Sequence, residues 1–308
     1  MNYTLHQLLI FFEIANSKSI TRTAEKLNLT QPAVSIQLKN FQDQFAIPLT
    51  EVIGRQLYVT DFGAEIALAA KKILEEVEAI NYKSDSFKGK LSGRIKISTA
   101  STAKYVMPYF LSDFMNKHSG VDLVMDVTNK SKVIRSLEKN EVDFVLISVL
   151  PKKLKVNSVD LMPNQLFLVG GRQLNHEQLS KKEQLLAQVP LIFREEGSAT
   201  RIAMENFITK NGLKIRKKIE LTSNEAVKQA VVAGLGISIM PLIGIKNELK
   251  VGDLQIISSA QLPINSMWQI TWLKSKKLNP VATAFLNYLD LNKETLVQRH
   301  FSWIKKYS

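Results

Sequence analysis

The stretch Ser19-Ile-Thr-Arg-Thr-Ala-Glu-Lys-Leu-Asn-Leu-Thr-Gln-Pro-Ala-Val-Ser-Ile-Gln-Leu-Lys39 decides how the N-terminal part of this chain folds. Ser19 is a good helix N-cap, and Ile20, Ala24 and Leu27 fall on one helical face behind it. Asn28-Leu29-Thr30 allows only a tight connection. Thr30 caps again, and Pro32 lies in the next helix's first turn, where no backbone donor is needed. Val34, Leu38, Phe41 and Phe45 then form an apolar stripe. The opposite face presents Pro32, Ile36, Lys39 and Asn40, flanked by Gln31, Ala33 and Ser35. Working outward, Leu5, Leu8, Leu9 and Phe12 recur at helical spacing and predict an earlier amphipathic helix over 4–16.

Two short helices joined by a tight turn match a helix-turn-helix, whose second helix enters the DNA major groove. There Gln31 would make paired hydrogen bonds to adenine and Ser35 a single polar contact. Ala33 or Ile36 would meet a thymine methyl. Spacing alone leaves a second reading open, because any three-helix core shows the same stripes.

The residues themselves go further. Ala24-Glu-Lys-Leu27 and Thr30-Gln-Pro-Ala-Val-Ser35 resemble the helix-turn-helix signature of LysR-type transcriptional regulators. Gly54-Arg-Gln-Leu-Tyr-Val-Thr-Asp-Phe-Gly63 is similar to that family's wing and the start of its linker helix. The resemblance implies an N-terminal all-α winged helix-turn-helix over 1–60. Arg22, Thr30, Gln31, Pro32, Ala33, Ser35, Ile36, Lys39 and Arg55 would then face DNA. One departure stands out: Leu49-Thr-Glu-Val52 occupies the place where the family usually carries Leu-Phe-x-Arg. Val52 cannot hold a phosphate, so affinity would rest on Arg55, Lys39 and backbone amides.

Charge is unevenly placed. The 308 residues carry 41 Lys+Arg and 28 Asp+Glu, a formal +13. Residues 1–90 hold 10 of each sign, so the whole excess lies in 91–308. It is either ordinary surface decoration or a field that draws in an anion. The break coincides with Phe87-Lys-Gly-Lys-Leu-Ser-Gly93, which suits a short linker. Before it, Ile66, Ala70, Ile73, Val77 and Ile80 step by four and three, with Phe87 one heptad further on. That is the spacing of a coiled-coil seam, or of one helix packed on its own domain. The family resemblance favours the seam, a dimerisation helix and hinge over 61–90, since its linker helix pairs with a second copy.

From residue 94 strands and helices alternate. Strands are expected over 94–98, 121–127, 142–148, 166–169, 191–193, 214–221, 237–240 and 268–272. Helices are expected over 104–118, 130–139, 198–211 and 224–233. This is an α/β pattern with mainly parallel sheets, in two lobes around a cleft. Ile97-Ser-Thr-Ala-Ser-Thr-Ala-Lys-Tyr-Val-Met-Pro108, Asn140-Glu-Val-Asp-Phe144, Glu196-Gly-Ser-Ala-Thr-Arg201 and the run from Ser223 to Ile237 resemble the same family's effector-binding domain. That resemblance implies a two-lobed fold like periplasmic solute-binding proteins over 91–290. Lobe I would take 91–163 and 267–290, and lobe II 164–266. The last two stretches are closest to regulators of carbon-fixation operons, which implies a small anionic effector, NADPH and phosphorylated sugar acids among them.

Physical chemistry points to the same cleft. Thr99, Ser101 and Thr102 open one helix, Ser198, Thr200 and Arg201 another, and Asn129 a third. Hydroxyls and free amides at helix starts suit a carboxylate or phosphate, and Arg201 would add a fork of donors. The bland alternative at each position is a plain N-cap.

Other classes recede. The chain has no cysteine, which removes disulfides, thiolate metal sites and cysteine nucleophiles. His6, His118, His176 and His300 are not spaced as metal ligands, and no phosphate-binding loop is present. We therefore expect no catalytic residues, metal or cofactor beyond the effector. An α/β enzyme acting on a small anion and fused to a DNA-binding domain is the rival. With neither an export signal nor an apolar run long enough to span a membrane, a cytoplasmic protein is expected. The family resemblance implies double-stranded operator DNA and further copies of the chain, as dimer or tetramer, for partners, with RNA polymerase a further candidate. The tail 291–308 alternates Phe301, Trp303, Ile304 and Tyr307 with Arg299, Lys305 and Lys306, and is expected to dock as a basic amphipathic helix on its own domain or a subunit interface.

Overall fold

The computed structural model describes residues 2–54, 56–87, 90–174, 188–213, 215, 217–259 and 261–307, excluding the side chains of 78, 79 and 81–87. The chain divides into two compact units, 1–90 and 91–308.

The first unit opens with α1 (Leu5–Ser17), α2 (Ile20–Leu27) and α3 (Gln31–Gln42). Thr4 and Gln7 close a reciprocal capping box on α1, and Ser19 and Thr30 accept the first-turn amides of α2 and α3. Asn28 ends α2 in the left-handed region, at φ 54°, and so turns the chain sharply into α3. Ile10, Phe11, Ile14 and Val34 are fully buried and Phe41 nearly so, forming the three-helix core. A buried side chain of this size contributes about 1.5–3 kcal/mol. β1 (Thr50–Ile53) and β2 (Gln56–Val59) form an antiparallel hairpin. Thr60 then caps α4 (Asp61–Phe87) by accepting from the Gly63 amide. Gly63 is required there, because a Cβ would lie 2.0 Å from the Leu49 carbonyl oxygen.

The expected seam on α4 divides in two. Ala70 is fully buried and Ile66 half-buried, both packed into the core beside α1. The first two seam positions therefore satisfy the packing alternative within their own unit. Val77 is half-buried, whereas Ile73 and Ile80 are 40% and 63% exposed. The side chain of Phe87 lies outside the described residues.

The second unit is a two-lobed α/β structure. Lobe I holds β3 (Ser92–Ala100), β4 (Gly120–Thr128) and β5 (Phe144–Ile147), with α5 (Met107–Lys117), α6 (Lys130–Glu138) and, near the C-terminus, α10 (Pro280–Phe301). Lobe II holds β7 (Leu191–Arg194), β8 (Lys218–Leu221), β9 (Ser238–Pro241) and β10 (Leu254–Ile256). Its helices are α7 (Ala199–Lys210), α8 (Asn224–Val232) and α9 (Lys246–Val251). Two long strands, β6 (Val156–Gly171) and β11 (Ile264–Leu273), run between the lobes. β3 pairs in parallel with β4 and β5, and β7 with β8. β6 and β11 pair antiparallel with each other, β11 with β5, and β6 with β9 and β10.

The sequence expectation of mainly parallel sheets is thus corrected. Local βα units predict parallel pairs, but the long strands return through the sheet between lobes and pair antiparallel. The single strand expected over 214–221 reduces to Lys218–Leu221, with Lys214 and Arg216 outside the described residues. The helix expected over 104–118 is split by a 3-10 turn, Ala103–Tyr105, before α5.

The tail is not a separate helix. α10 runs unbroken through residue 290 to Phe301, and a 3-10 turn, Ser302–Lys306, folds the end back. Phe301 is buried beside Phe110. Trp303 and Ile304 touch the apolar cores of both lobes, and Lys246 of α9 stands 5.0 Å over the Trp303 ring. The tail therefore docks on its own unit, the first of the two expected placements.

Candidate functional site

The first unit presents one solvent face of α3. Val34, Leu38 and Phe41 point inward, so Gln31, Pro32, Ser35, Ile36 and Lys39 are exposed, with Ala33 half-exposed at the margin. Thr30 uses its hydroxyl on the Ala33 amide, and Arg22 of α2 is exposed. Gln31, Ser35 and Ile36 therefore lie together on the first two turns of an amphipathic helix, free of partners within the core. At the hairpin, Val52 and Ile53 are 69% and 64% exposed and Gly54 is left-handed at φ 66°. Arg55, expected on this hairpin, lies outside the described residues.

The second unit contains a cavity of about 410 Å³ between its lobes. Three helix starts meet in its wall, as expected. Ser101 and Thr102 precede the 3-10 turn of lobe I, Asn129 and Lys130 open α6, and Ser198 and Thr200 open α7. Ser198 makes no capping hydrogen bond with its side chain, which leaves its hydroxyl available. Asn129 does cap, accepting from the Lys132 amide at 3.1 Å, so its oxygen already has a structural duty. The floor comes from the long strands through Asn164, Ser266 and Trp268.

Two expected residues are not in the wall. Thr99 is fully buried under it, its hydroxyl reaching the Asp126 carbonyl oxygen at 3.4 Å. Arg201 is turned away, donating to Glu205 at 2.8 Å, to Glu220 at 2.7 Å and to the Arg194 carbonyl oxygen at 3.1 Å. One helical turn separates Arg201 from Glu205, so the i,i+4 pair competes successfully for the guanidinium.

Three cations that sequence reasoning passed over line the cavity instead: Lys130, Arg194 and Lys210. Arg194 is 4% exposed and holds Glu195 through Nε and Nη2 at 2.7 and 2.8 Å. Its position at the carboxyl end of β7 was the available signal, since ligands of such sheets sit there. Burial, and then the charge of Lys152, hold the Lys130 ammonium below the usual lysine range. Among the described residues, no carboxylate lines the cavity. The chemistry on offer is thus hydroxyl donors, helix-start amides and cations, all suited to an anion.

Cross-lobe contacts hold the cavity closed. Asn224 Nδ2 donates to Ser101 Oγ at 2.9 Å, and the Tyr105 hydroxyl donates to Glu225 at 3.1 Å. On another edge the Ser131 amide donates to the Gly197 carbonyl oxygen at 3.3 Å. Gly197 is left-handed at φ 81°, and a Cβ there would lie 2.6 Å from Ser131 Oγ. No group of metal ligands occurs among the described residues.

Comparison with known proteins gives these surfaces a common frame. Residues 5–64 match the model of the bacterial regulatory helix-turn-helix protein, lysR family, and residues 88–292 that of the LysR substrate binding domain. The chain belongs to the LysR family of bacterial transcriptional regulators. The transcriptional activator CmpR of a Synechocystis strain is 35% identical over 298 residues, covering 96% of this chain and 97% of that one. The RuBisCO operon transcriptional regulator of Allochromatium vinosum is 35% identical over 291 residues, 94% of this chain and 96% of its own. These relatives match the expected likeness to regulators of carbon-fixation operons. Among solved structures, the Synechocystis CcmR regulatory domain in complex with 2-PG shares 30% identity and a TM-score of 0.61. It covers 66% of this chain and 98% of its own. Full-length CbnR complexed with its target DNA shares the fold, with a TM-score of 0.67 at 18% identity over 94% of this chain and 99% of its own. As a LysR-type regulator, the chain combines a DNA-binding unit with an effector-binding one. No helix among the described residues is long and apolar enough to cross a membrane.

Proposed function

We propose that this regulator is a cytoplasmic, non-enzymatic switch that reads an operator through α3 and senses a small anionic metabolite in the interlobe cavity. The carrying observation is the cavity wall, which brings together Lys130, Arg194 and Lys210, several hydroxyls and three helix starts, with no carboxylate among the described residues. The anion is of the class represented by 2-PG in the CcmR domain. The targets are carbon-fixation genes, as the names of the relatives suggest. Ser101, Thr102, Asn129, Ser198 and Thr200 are its polar contacts, Arg194 its buried anchor, and Thr99 and Arg201 supports beneath them.

The assembly we infer is a tetramer of paired dimers. Ile73, Val77 and Ile80 form the inter-chain seam, while Ile66 and Ala70 fasten that helix to its own unit. Gln31, Ala33, Ser35 and Ile36 read base edges, and Arg22, Thr30, Pro32, Lys39 and Arg55 position the helix on the backbone. Anion binding shifts the angle between lobes about β6 and β11, and with it the spacing of the DNA-reading pairs and the bend of the operator. RNA polymerase is the partner through which the bend is read out.

Footprinting on the upstream DNA, with and without 2-PG, tests the switch. The expected result is a footprint whose length or hypersensitive sites change with the anion, alongside stoichiometric binding without turnover. Conversion of 2-PG by the full chain would instead favour the enzyme. Replacing Arg194 and Arg201 separately by methionine separates anchor from support. Arg194→Met should weaken 2-PG binding about tenfold or more, the loss of a charge-assisted bond. Arg201→Met should chiefly lower stability, by about 1–2 kcal/mol, since Glu205 and Glu220 are half-exposed and rehydrate. Equal effects on binding would undo the assignment.

A further inference from the structure

One face of α7 lines the interlobe cavity along the whole length of the helix. Thr200, Ala203, Phe207 and Lys210 recur in its wall at steps of three and four, with Ile202 and Asn206 beside them. At a rise of 1.5 Å per residue, Thr200 and Lys210 stand about 15 Å apart along the axis. The cavity is therefore a groove, and its two ends differ. At the start of α7, Thr102, Arg194, Ser198 and Thr200 are each more than nine-tenths buried. At the far end Asn206, Lys210, Gln261 and Asn265 are exposed and form a polar rim. Between these ends α7 contributes Ile202, Ala203 and Phe207. The long strands add Leu166, Ile264 and Trp268 to the wall, and most of the cavity's surface is apolar.

We propose that the preferred ligand is an amphiphilic anion, an oxyanion seated at the start of α7 whose apolar body, a short alkyl chain or a single ring, lies along that helix towards the rim. This rests on the reading of the cavity as an anion site and adds the chemistry of the rest of the ligand. A compact oxyanion held by the hydroxyls and by Arg194 occupies only the buried end. Water would then stand against Ile202, Ala203 and Phe207, and an apolar group joined to the anion displaces it with a gain. Charge sets the direction in which the ligand lies. Arg194 is buried and strengthens an ion pair, whereas Lys210 is exposed and holds an anion only weakly. The head thus supplies orientation, and the body supplies affinity in proportion to the apolar area it covers.

The test uses the full chain and four probes, methyl, ethyl, propyl and butyl phosphate, titrated calorimetrically at neutral pH. All four carry the same head and differ only in apolar length. Affinity should rise by about threefold for each added methylene, a little under the value of a fully buried one. Ile202 is 43% exposed, so Ile202→Asn leaves the core of the lobe undisturbed. That variant should reduce the step to about twofold per methylene. Arg194→Met should instead weaken all four probes alike, by about tenfold, and keep the step of the unmodified chain. Head and body are thereby read separately, one as an offset and the other as a slope. Methyl phosphate bound as tightly as butyl phosphate would overturn the inference and leave the anion site standing. An undiminished slope in Ile202→Asn would place the chain away from α7, and the proposal would fall. Failure of every probe to bind would overturn the anion reading of the cavity, and this inference with it.

Discussion

The DNA-reading face and the effector cavity meet charged ligands in opposite ways. On α3 the side chains that face solvent are mostly neutral, and Gln31, Ser35 and Ile36 are exposed before any partner arrives. In the cavity the groups are mostly buried or half-buried, drawn from two lobes and the strands between them, and several are already bonded to neighbours behind the wall. The first surface keeps its contacts local and waits for a rigid duplex. The second places charge where low polarity strengthens it, and its geometry depends on how the lobes stand. A reader built from exposed neutral groups is tuned one residue at a time. A buried sensor is tuned through networks, where the nominal ligand residue and its support are easily confused, as with Arg201 and Arg194.

The strongest way to break the comparison is to remove the pairing that gives the reader its avidity. Ile73 is exposed on α4, as Ile80 is, while Ala70 on the same helix is fully buried. Ile73→Glu should leave the fold of the first unit intact, abolish dimerisation and reduce operator affinity by about a hundredfold or more through lost bivalency. Sedimentation and mobility shifts measure both, and tight binding by a monomeric variant would dismiss the seam. Ala70→Glu is the contrast: Ala70 is fully buried against α1, so the first unit itself should unfold.

The reader alone is addressed by single contacts. Gln31→Ala should cost about 1–3 kcal/mol at one base position while leaving other positions unchanged. Lys39→Ala should weaken all sequences alike and reduce the salt slope by about one counterion. Competition assays over an operator library at two salt concentrations separate the two. A uniform loss on replacing Gln31 would place it on the backbone instead.

These two surfaces were unequally legible in the sequence for a physical reason. Caps and stripes are local, so Ser19 and Thr30 marked helix starts that the structure keeps. The wall residues Ser101, Thr102, Asn129, Ser198 and Thr200 were also readable, because a helix start after a strand places them by local geometry. Whether a guanidinium reaches the cavity depends instead on carboxylates elsewhere. Glu205 lies on the same helix and was within reach of sequence reasoning, but Glu220 lies on β8 and becomes a partner only after folding. The antiparallel course of β6 and β11 was hidden in the same way, since pairing is a long-range choice that alternating hydrophobicity does not encode. The capture of Ile66 and Ala70 by α1 shows the converse: a heptad pattern states which face is apolar, not what covers it.

The smallest expected effect sharpens the cavity's side of the comparison. Lys130 sits in the wall with its ammonium held below the usual lysine range by burial and by Lys152. A lowered pKa in the folded state means that the charged form is disfavoured by folding. The penalty is complete below the folded pKa and vanishes as pH rises past the unfolded value of about 10.4. Lys130→Met should therefore make the free protein slightly more stable at neutral pH, not less. A bound anion reverses the balance by favouring the ammonium. Affinity for 2-PG should fall as pH climbs through the lowered pKa, with proton uptake on binding in that range. Lys130→Met should lose a few-fold in affinity at neutral pH, in keeping with about 0.2–1 kcal/mol for a partly exposed ion pair, together with the part of the alkaline decline that Lys130 causes. Calorimetry at several alkaline pH values in two buffers of different ionisation enthalpy counts the protons directly. Unchanged uptake in the variant would assign the titration to another group and return Lys130 to the solvated surface.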